Sequence, residues 1–421
     1  MELLISPCKQ LLTLAGPPGP RRSQDQSTLG IIEDGALWIS GTLIKRSGPR
    51  KEVERDLNTR KLRRISAEDC IVMPGFVDSH SHPVFLSARE DEYELRILGK
   101  TCREIAEAGG GILASVRGVR KASLEQLLAV SLPRLALFLR HGTTTLEAKS
   151  GYGLDLENEI KLLEVIRQLQ LCSPLELVPT FLGAHEIPPE HREQPSRYIE
   201  LLVEKMIPEI ARQKLAEYCD CFAEPHLFPL PEMEKIMKAA RAHGLKIRLH
   251  ADQWVRSGAA QAGARLGAIS VDHLEQITGE DVEVLSKTGT IATLLPGSVF
   301  HLGLSCYPPA RKLIEAGVPV ALATDFNPGS SPTCNMQMIL SLACAQMRMS
   351  PAEAIVAATL NGAWALERAD RLGTLEPGKQ ADLAIMNVED YRQIPYYFGV
   401  NHCRMTIKAG KIIPASEESF S

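Results

Sequence analysis

The chain has no Cys-x-x-Cys pair, no excess of basic residues and no long apolar run. Its ten cysteines are scattered over 421 residues, which is typical of reduced thiols in a cytosol rather than of a disulfide framework. No run approaches the ~20 apolar residues of a membrane span. The first residues, with Glu2, also lack the sustained apolar stretch of a signal peptide. We therefore expect a soluble cytoplasmic protein.

The charge of the chain excludes some classes of partner. With 47 basic and 51 acidic residues the net charge is −4, and no basic stripe predicts binding to nucleic acid. No polybasic segment predicts binding to a membrane surface either. The apolar and charged fractions, 44% and 23%, are those of an ordinary globular protein. These observations leave a small molecule as the expected partner.

The middle of the chain, about 71 to 370, alternates strand-like apolar runs with longer helical patterns, as parallel α/β sheets do. The eight strand candidates are Ile71–Asp78, Thr143–Glu147, Leu175–Phe181, Tyr218–Ala223, Lys246–His250, Ala268–Asp272, Thr290–Leu295 and Val318–Thr324. Eight strands over such a span predict a (β/α)₈ barrel. An open doubly wound sheet would give the same alternation. The polar residues at the strand ends favour the barrel, in which catalytic groups gather at the carboxyl ends of the strands.

Both ends of the chain differ from this middle part. Short strand-like runs separated by glycine turns occur at Leu11–Ala15, Ala36–Ile39, Ala381–Met386 and Met405–Ile413. Because the termini of a domain are often neighbours, one small sheet built from both ends is expected. We therefore divide the chain into residues 1–70, 71–370 and 371–421, of which the first and third form the small sheet.

Side chains that bind metal ions stand at the ends of several predicted strands. The apolar run from Ile71 ends in His80 and His82, and on a strand residues i and i+2 project from the same face. Two surface histidines in a loop are the alternative for an isolated pair of this kind. His250, His273 and Asp325 end later strands, however, and barrel strands converge on one pocket. Three imidazoles and a carboxylate leave a coordination position open for water, as catalytic metal sites do.

Several motifs carry a resemblance to a known family. The run Pro74-Gly-Phe-Val-Asp-Ser-His-Ser-His82 resembles the first-strand motif of the metal-dependent amidohydrolase superfamily, and the segment 373–383 resembles a common C-terminal feature of that superfamily. Within it, the chain resembles the imidazolonepropionases. The runs that carry this likeness are Ala108–Ile112, Lys149–Asp155, Thr180–His185, Leu249–Gln253, Asp272–Glu275 and Ala323–Gly329. The resemblance covers nearly the whole chain. It implies an α/β fold, a (β/α)₈ TIM barrel of the amidohydrolase type with a small β-sandwich built from the N- and C-terminal segments.

The resemblance also implies a reaction and the residues that carry it. The family substrate is 4-imidazolone-5-propanoate, a cyclic amide, and its hydrolysis to N-formimidoyl-L-glutamate is the third step of histidine degradation. By this resemblance one metal ion, zinc or iron, is bound by four ligands: His80, His82, His250 and Asp325. Asp325 is also the general base, His273 lies beside the metal on the oxyanion side, and His185 hydrogen-bonds the substrate carbonyl or its oxyanion.

Other residues are expected to bind the substrate. Arg89 in the first βα loop suits the substrate carboxylate, because a guanidinium can form two parallel hydrogen bonds with it. A solvated arginine is the alternative. Tyr152 lies between two glycines in a loop that suits closure over a ligand, although a turn tyrosine without a role is equally consistent. The remaining expected contacts are Gln253, Asn327, Gly329 and Ser330.

Two features depart from patterns in the relatives. Some family members have Glu where this chain has Gln253, and an amide hydrogen-bonds but does not shuttle protons. Many superfamily members place a metal-bridging lysine at the end of strand four, where this chain has Ala223-Glu224-Pro225. A single metal is therefore expected, with Lys149 at the end of strand two either in a structural position or in contact with the metal ligands. The resemblance implies a homodimer. The alternatives are a purine or pyrimidine base deaminase, or a barrel that only binds.

Overall fold

The computed structural model describes residues 2–58 and 62–414, and within these ranges it contains fifteen strands. They are β1 (Glu2–Leu12), β2 (Ile31–Ser40), β3 (Leu43–Pro49), β4 (Arg63–Pro74), β5 (Phe76–Asp78), β6 (Thr143–Lys149), β7 (Glu176–Ala184), β8 (Tyr218–Ala223), β9 (Lys246–Ala251), β10 (Ser270–His273), β11 (Ile291–Leu294), β12 (Val320–Leu322), β13 (Leu383–Met386), β14 (Cys403–Lys408) and β15 (Lys411–Ile413). They form two sheets, one of eight strands and one of seven.

Helices lie between most of the strands. They are α1 (Arg50–Val53), α2 (Glu90–Ile97), α3 (Cys102–Glu107), α4 (Ile112–Lys121), α5 (Leu124–Arg140), α6 (Leu156–Cys172), α7 (Pro195–Leu201), α8 (Ile207–Gln213), α9 (Leu230–Ala242), α10 (Ala259–Arg265), α11 (Gly279–Ser286), α12 (Pro296–His301), α13 (Ala310–Glu315), α14 (Met336–Met347), α15 (Pro351–Ala357), α16 (Leu360–Ala365) and α17 (Gln393–Tyr396). Within the described ranges, none of them combines the length and apolar character needed to cross a membrane.

The eight-stranded sheet contains β5 to β12 in chain order, and every neighbouring pair is parallel. The two end strands approach each other where the chain continues past them. Ser81 and Phe326 form a parallel bridge, and the Asp325 N–H donates to the carbonyl of His80 at 3.0 Å. Below this bridge, the buried carboxylate of Asp78 accepts from the backbone N–H of Thr324 at 3.0 Å. The sheet is therefore a nearly closed barrel, as the strand-end pattern predicted, and not an open doubly wound sheet.

The seven-stranded sheet comes from both ends of the chain, in the order β15-β14-β13-β4-β1-β2-β3. Apolar side chains from both halves of this sheet meet in one core, where Leu3 and Leu37 from the N-terminal part pack with Ile385 and Ile407 from the C-terminal part. The predicted fold class, a barrel with a small sheet structure from the two termini, is confirmed. The exact division of the chain into three segments stays a prediction.

Two strand predictions differ from the structure. The run Ile71–Asp78 is two strands, because the chain leaves the terminal sheet at Pro74 and enters the barrel at Phe76. Both halves are buried, so the sequence reads as one apolar run. At Gly75 a side chain would collide with Thr144, since its Cβ would lie 2.4 Å from the Thr144 methyl group. The first strand is also much longer than Leu11–Ala15 predicts.

Candidate metal centre

Four predicted ligands meet at the carboxyl end of the barrel. His80 and His82 follow β5, His250 lies on β9 and Asp325 follows β12. Each is at most 3% exposed. The Nε2 atoms of His80 and His82 each lie 3.6 Å from Oδ1 of Asp325, and the ring centroids of His80 and His250 are 4.5 Å apart. Residues that lie more than 240 positions apart in sequence therefore share one small volume.

The chemistry of these side chains fits a metal ion. Nε2 of His80 is fully buried and has no hydrogen-bond partner among the described residues, although an uncompensated buried nitrogen is costly. Within 4.8 Å of one another lie donor atoms of His80, His82 and Asp325, and also donor atoms of His80, His250 and His273. Imidazole nitrogens and one carboxylate are the donors of catalytic zinc and of nonhaem iron. The four residues therefore fit the metal that the sequence predicted.

Two buried carboxylates, those of Asp220 and Asp272, contact the histidine rings on the side away from the proposed metal position. We call them the orienting carboxylates. Oδ2 of Asp272 is hydrogen-bonded to Nδ1 of His80 at 2.6 Å, whereas Oδ2 of Asp220 lies 3.0 Å from Nδ1 of His250 in an ion-pair contact without hydrogen-bond geometry. A carboxylate at Nδ1 fixes the proton there and turns the Nε2 lone pair toward the metal position. Our sequence analysis did not assign this role to Asp220. A charged residue inside the apolar strand Tyr218–Ala223 was the signal for it.

The orienting carboxylates belong to a buried charge layer inside the barrel, which consists of Glu147, Lys149, Asp220, Arg248 and Asp272. All five side chains are fully buried. Nζ of Lys149 lies 2.6 Å from Asp220 and 2.9 Å from Glu147, while Nε of Arg248 lies 3.3 Å from Glu147. Lys149 therefore contacts both orienting carboxylates and their neighbour Glu147 inside the barrel, and the role that the sequence analysis expected for it stays a prediction.

The protonation of Asp325 responds to its surroundings. Burial raises the pKa of its carboxyl to about 7, although the neighbouring His273 opposes this rise. Asp325 also has a positive φ of 52°, a conformation that non-glycine residues adopt rarely and mostly at functional positions. The hydrogen bond from its N–H to the His80 carbonyl holds the backbone there.

His273 lies at the end of β10, next to the ligands. Its ring centroid is 5.3 Å from that of His250, and its Nδ1 lies 3.4 Å from Oε1 of Glu275. Burial lowers the pKa of His273, but the carboxylates of Glu275 and Asp325 outweigh burial and raise it overall. A ring nitrogen of His273 lies within 4.8 Å of donor atoms of His80 and His250.

His185 follows β7 and stacks on His82, with ring centroids 5.2 Å apart. Its Nδ1 lies 2.9 Å from the carbonyl oxygen of Gly151. Because a carbonyl oxygen only accepts, Nδ1 carries the proton. Burial lowers the pKa of His185 to about 4, so the ring is neutral near pH 7. Its Nε2 is then a hydrogen-bond acceptor, which differs from the oxyanion donor that the resemblance suggested.

A cavity of about 560 Å³ opens above the metal position. All the residues that we predicted to bind substrate contribute to its wall: Arg89, Tyr152, His185, Gln253, Asn327, Gly329 and Ser330. The ligands His82, His250 and Asp325 and the neighbouring His273 form the polar floor. This volume suits a small molecule.

Arg89 is the predicted anion-binding residue, and one edge of its guanidinium already has a partner. Its Nε and Nη2 donate to the two carboxylate oxygens of Glu92 at 3.0 and 2.6 Å. Glu92 in turn accepts from the backbone N–H of Gly111. The other edge, with Nη1, packs against Gly329, where an added Cβ would lie 2.5 Å from Nη1. The absence of a side chain at Gly329 therefore leaves the space that the Arg89 guanidinium occupies.

The loop after β12 is held by Asn327. Its amide oxygen accepts from the backbone N–H groups of Gly329 and Ser330 at 2.8 and 2.7 Å. Its amide nitrogen donates to the carbonyl of Asp325. These bonds occupy the side chain, so Asn327 shapes the loop that carries Gly329 and Ser330.

Gln253 lies on another loop, which Glu224 positions. Oε1 of Glu224 accepts from the backbone N–H groups of Gln253 and Trp254 at 3.0 and 2.9 Å. Glu224 thus stands where many relatives have a metal-bridging lysine, but it binds backbone rather than facing the metal ligands. The side chain of Gln253 remains available to the cavity.

Comparison with known proteins agrees with this site. A sequence profile of the Amidohydrolase family matches residues 71–413, which is most of the chain. Two solved structures have the same fold. A zinc-bound adenosine deaminase from Xanthomonas campestris has a TM-score of 0.70 at 19% identity and covers 97% of this chain and 92% of its own. Guanine deaminase of E. coli has a TM-score of 0.70 at 17% identity, with 98% and 99% covered. At such identities they show the fold alone. The chain belongs to the amidohydrolase family.

Curated relatives give a narrower placement. Imidazolonepropionase from Solibacter usitatus (strain Ellin6076) is 48% identical over 96% of this chain and 97% of its own length. Imidazolonepropionase from Geobacillus kaustophilus (strain HTA426) is 46% identical, with 98% and 97% covered. Identity of this extent places the chain within the imidazolonepropionase branch of the family.

Proposed function

We infer that the chain hydrolyses the cyclic amide of 4-imidazolone-5-propanoate to N-formimidoyl-L-glutamate, the third step of L-histidine degradation. The observation that carries this inference is the near full-length identity with imidazolonepropionases. The site agrees with the reaction, because a metal-binding cluster forms the floor of a cavity that also contains a cationic side chain.

One metal ion per chain, zinc or iron, would be held by His80, His82, His250 and Asp325. Such an ion activates a water molecule and polarises the carbonyl that the water attacks. Because Asp272 is hydrogen-bonded to Nδ1 of His80 and Asp220 contacts Nδ1 of His250, Nε2 of each ring would be the atom that binds the ion. A single ion is supported by Glu224, which stands where a bridging lysine would be needed for two.

Asp325 is the residue that moves protons. It takes a proton from the attacking water as the water oxygen bonds to the ring carbonyl carbon. When the ring carbon–nitrogen bond breaks, the same proton passes to the leaving nitrogen, and the carbonyl carbon becomes a carboxylic acid, which releases the second proton of the water to solvent and leaves a carboxylate.

Two further histidines, His273 and His185, hydrogen-bond the substrate. The Glu275 carboxylate beside Nδ1 stabilises a protonated His273, whose Nε2–H then donates to the carbonyl oxygen as negative charge develops. His185, with its proton on Nδ1, presents Nε2 to the cavity and accepts a hydrogen bond from a ring N–H of the substrate. This role amends the oxyanion contact that the resemblance implied.

The propanoate group of the substrate binds Arg89. Glu92 uses one edge of the guanidinium and fixes its plane, so the edge with Nη1 binds the carboxylate. Tyr152 and Gln253 also line the cavity and contact the substrate there. Gly329 and Ser330 approach through the loop that Asn327 holds.

The enzyme acts on this small molecule as a homodimer in the cytoplasm, without nucleic acid or membrane partners. The nearly balanced charge of the chain supports the absence of nucleic acid and membrane partners, and its scattered cysteines without a Cys-x-x-Cys pair support a reducing compartment. The homodimer rests on the family resemblance alone.

Metal-dependent turnover is the first test. Purified protein should remove the ultraviolet absorbance of freshly generated imidazolone, and a chelator followed by desalting should reduce the rate to that of a sample without protein. Adding zinc or iron back should restore it. A rate that survives complete metal removal would contradict the proposed site.

Replacement of Asp325 by asparagine should reduce kcat by about 100-fold or more, since it removes the proton acceptor and weakens one ligand. The rate is compared with that of Asp69→Asn, which makes the same chemical change at an exposed position of the terminal sheet. Both variants are assayed with saturating metal after a folding check by circular dichroism. Comparable turnover in a metal-loaded Asp325→Asn protein would refute the assigned role.

Gly329→Ala should raise KM about tenfold, because the new methyl group displaces the Arg89 guanidinium. Its thermal unfolding temperature should change little, since a flexible side-chain end can move away. Gly289→Ala is the matched control, because an added Cβ there meets nothing within 4 Å. An unchanged KM in Gly329→Ala would mean that the substrate carboxylate is bound elsewhere.

A further inference from the structure

Lys149 is a fully buried cation that contacts both orienting carboxylates, Asp220 and Asp272. Its Nζ lies 2.6 Å from Oδ2 of Asp220 and 3.9 Å from Oδ2 of Asp272. The carbon chain of Lys149 enters from β6, while the two aspartates come from β8 and β10. The ammonium group of Lys149, which is carried by β6, therefore contacts side chains from β8 and β10, next to the proposed metal ligands.

Each of the two aspartate oxygens that face Lys149 also faces a ligand histidine. Oδ2 of Asp220 is the atom that lies 3.0 Å from Nδ1 of His250. Oδ2 of Asp272 is likewise the atom that lies 2.6 Å from Nδ1 of His80. Because the contacts share these oxygens, the position of Lys149 bears directly on the orientation of two imidazole rings.

The charges in this layer explain why a cation is needed there. The buried charge layer holds three carboxylates and two cations, and Arg248 contacts Glu147 at 3.3 Å and Asp272 at 3.6 Å. Without Lys149, Asp220 would lose its only cationic side-chain contact within 4 Å among the described residues, apart from a protonated His250. Like-charged carboxylates in a buried site repel each other, so the loss of Lys149 would let Asp220 move away from His250.

We propose that Lys149 is a positioning residue for the metal, which sets the orientation of His80 and His250 through Asp272 and Asp220. It contacts neither the substrate nor the ion. The proposal rests on the ligand set given above but not on the identity of the substrate.

The charge of Lys149 has a second effect on metal affinity, which opposes the positioning effect. Removal of a cation near the site makes it more negative, which by itself would strengthen binding of a metal cation. If Lys149 acted only through its charge, its loss would therefore tighten metal binding. If it positions the ligands, its loss weakens binding, and the sign of the change distinguishes the two.

The test is the zinc affinity of the Lys149→Met variant, measured by competition with a chromophoric chelator on full-length apoprotein. Loss of an outer contact of a metal ligand typically costs 10- to 100-fold in affinity, so we expect a dissociation constant roughly tenfold higher or more. The visible spectrum of the cobalt(II)-loaded variant should also change, because it reports the arrangement of the ligands.

Lys408→Met is the matched control. Lys408 is also a buried lysine between two carboxylates, Asp382 and Glu176, but it lies on β14 in the terminal sheet. Its replacement should lower stability without changing zinc affinity or the cobalt spectrum. Equal weakening in both variants would overturn the proposal, because the effect would then come from general destabilisation. Unchanged or tighter zinc binding in Lys149→Met would overturn it as well.

A second comparison covers the case in which Lys149→Met does not fold. The double variant Glu147→Gln/Lys149→Met removes one charge of each sign, and Glu147→Gln alone is its reference. The double variant should bind zinc roughly tenfold more weakly than the reference, and equal affinity would refute the proposal. Failure of the wild-type chain to bind zinc would instead contradict the ligand set.

Discussion

The contacts between carboxylates and imidazoles beneath the metal position are the interactions on which the rest of the site depends. A free imidazole rotates and exchanges its proton between two nitrogens, so a histidine ligand needs a partner at its other nitrogen. Asp272 and Asp220 supply these partners for His80 and His250. Both aspartates are buried charges that need a cation nearby. The folding of the barrel brings the ammonium group of Lys149 close enough to compensate their negative charge.

The barrel provides this arrangement because neighbouring parallel strands end at the same level. The closing contacts between the first and last strands serve the site directly, since the Asp325 N–H is bonded to the carbonyl of His80. Two ligands are thereby fixed relative to each other through the backbone. Below them, Asp78 binds Thr324, and burial raises the pKa of this carboxyl to about 7. The contacts that nearly close the barrel between its first and last strands therefore also connect two of the proposed metal ligands, His80 and Asp325.

The sequence alone predicted the residues that follow strand ends, and it failed for those whose role depends on a neighbouring strand. His80, His82, His250 and Asp325 could be found because polar residues interrupt apolar runs at countable intervals. Asp220 also interrupts an apolar run, but it lies inside the strand rather than at its end, and its function depends on His250 one strand away. The strand β1 was mostly missed because Pro7 lies within it, where the pairing shifts register, and proline argues against a central strand. The tautomer of His185 depends on the Gly151 carbonyl, which no spacing predicts.

The central claim is that side chains of three separate barrel segments form one catalytic metal site. Titration of the metal-free protein with zinc, while the loss of imidazolone absorbance is followed, tests this claim most directly. The account predicts no turnover before metal is added and a rate that rises linearly to a sharp plateau at one equivalent per chain. Turnover without metal, or a plateau at two equivalents, would contradict it.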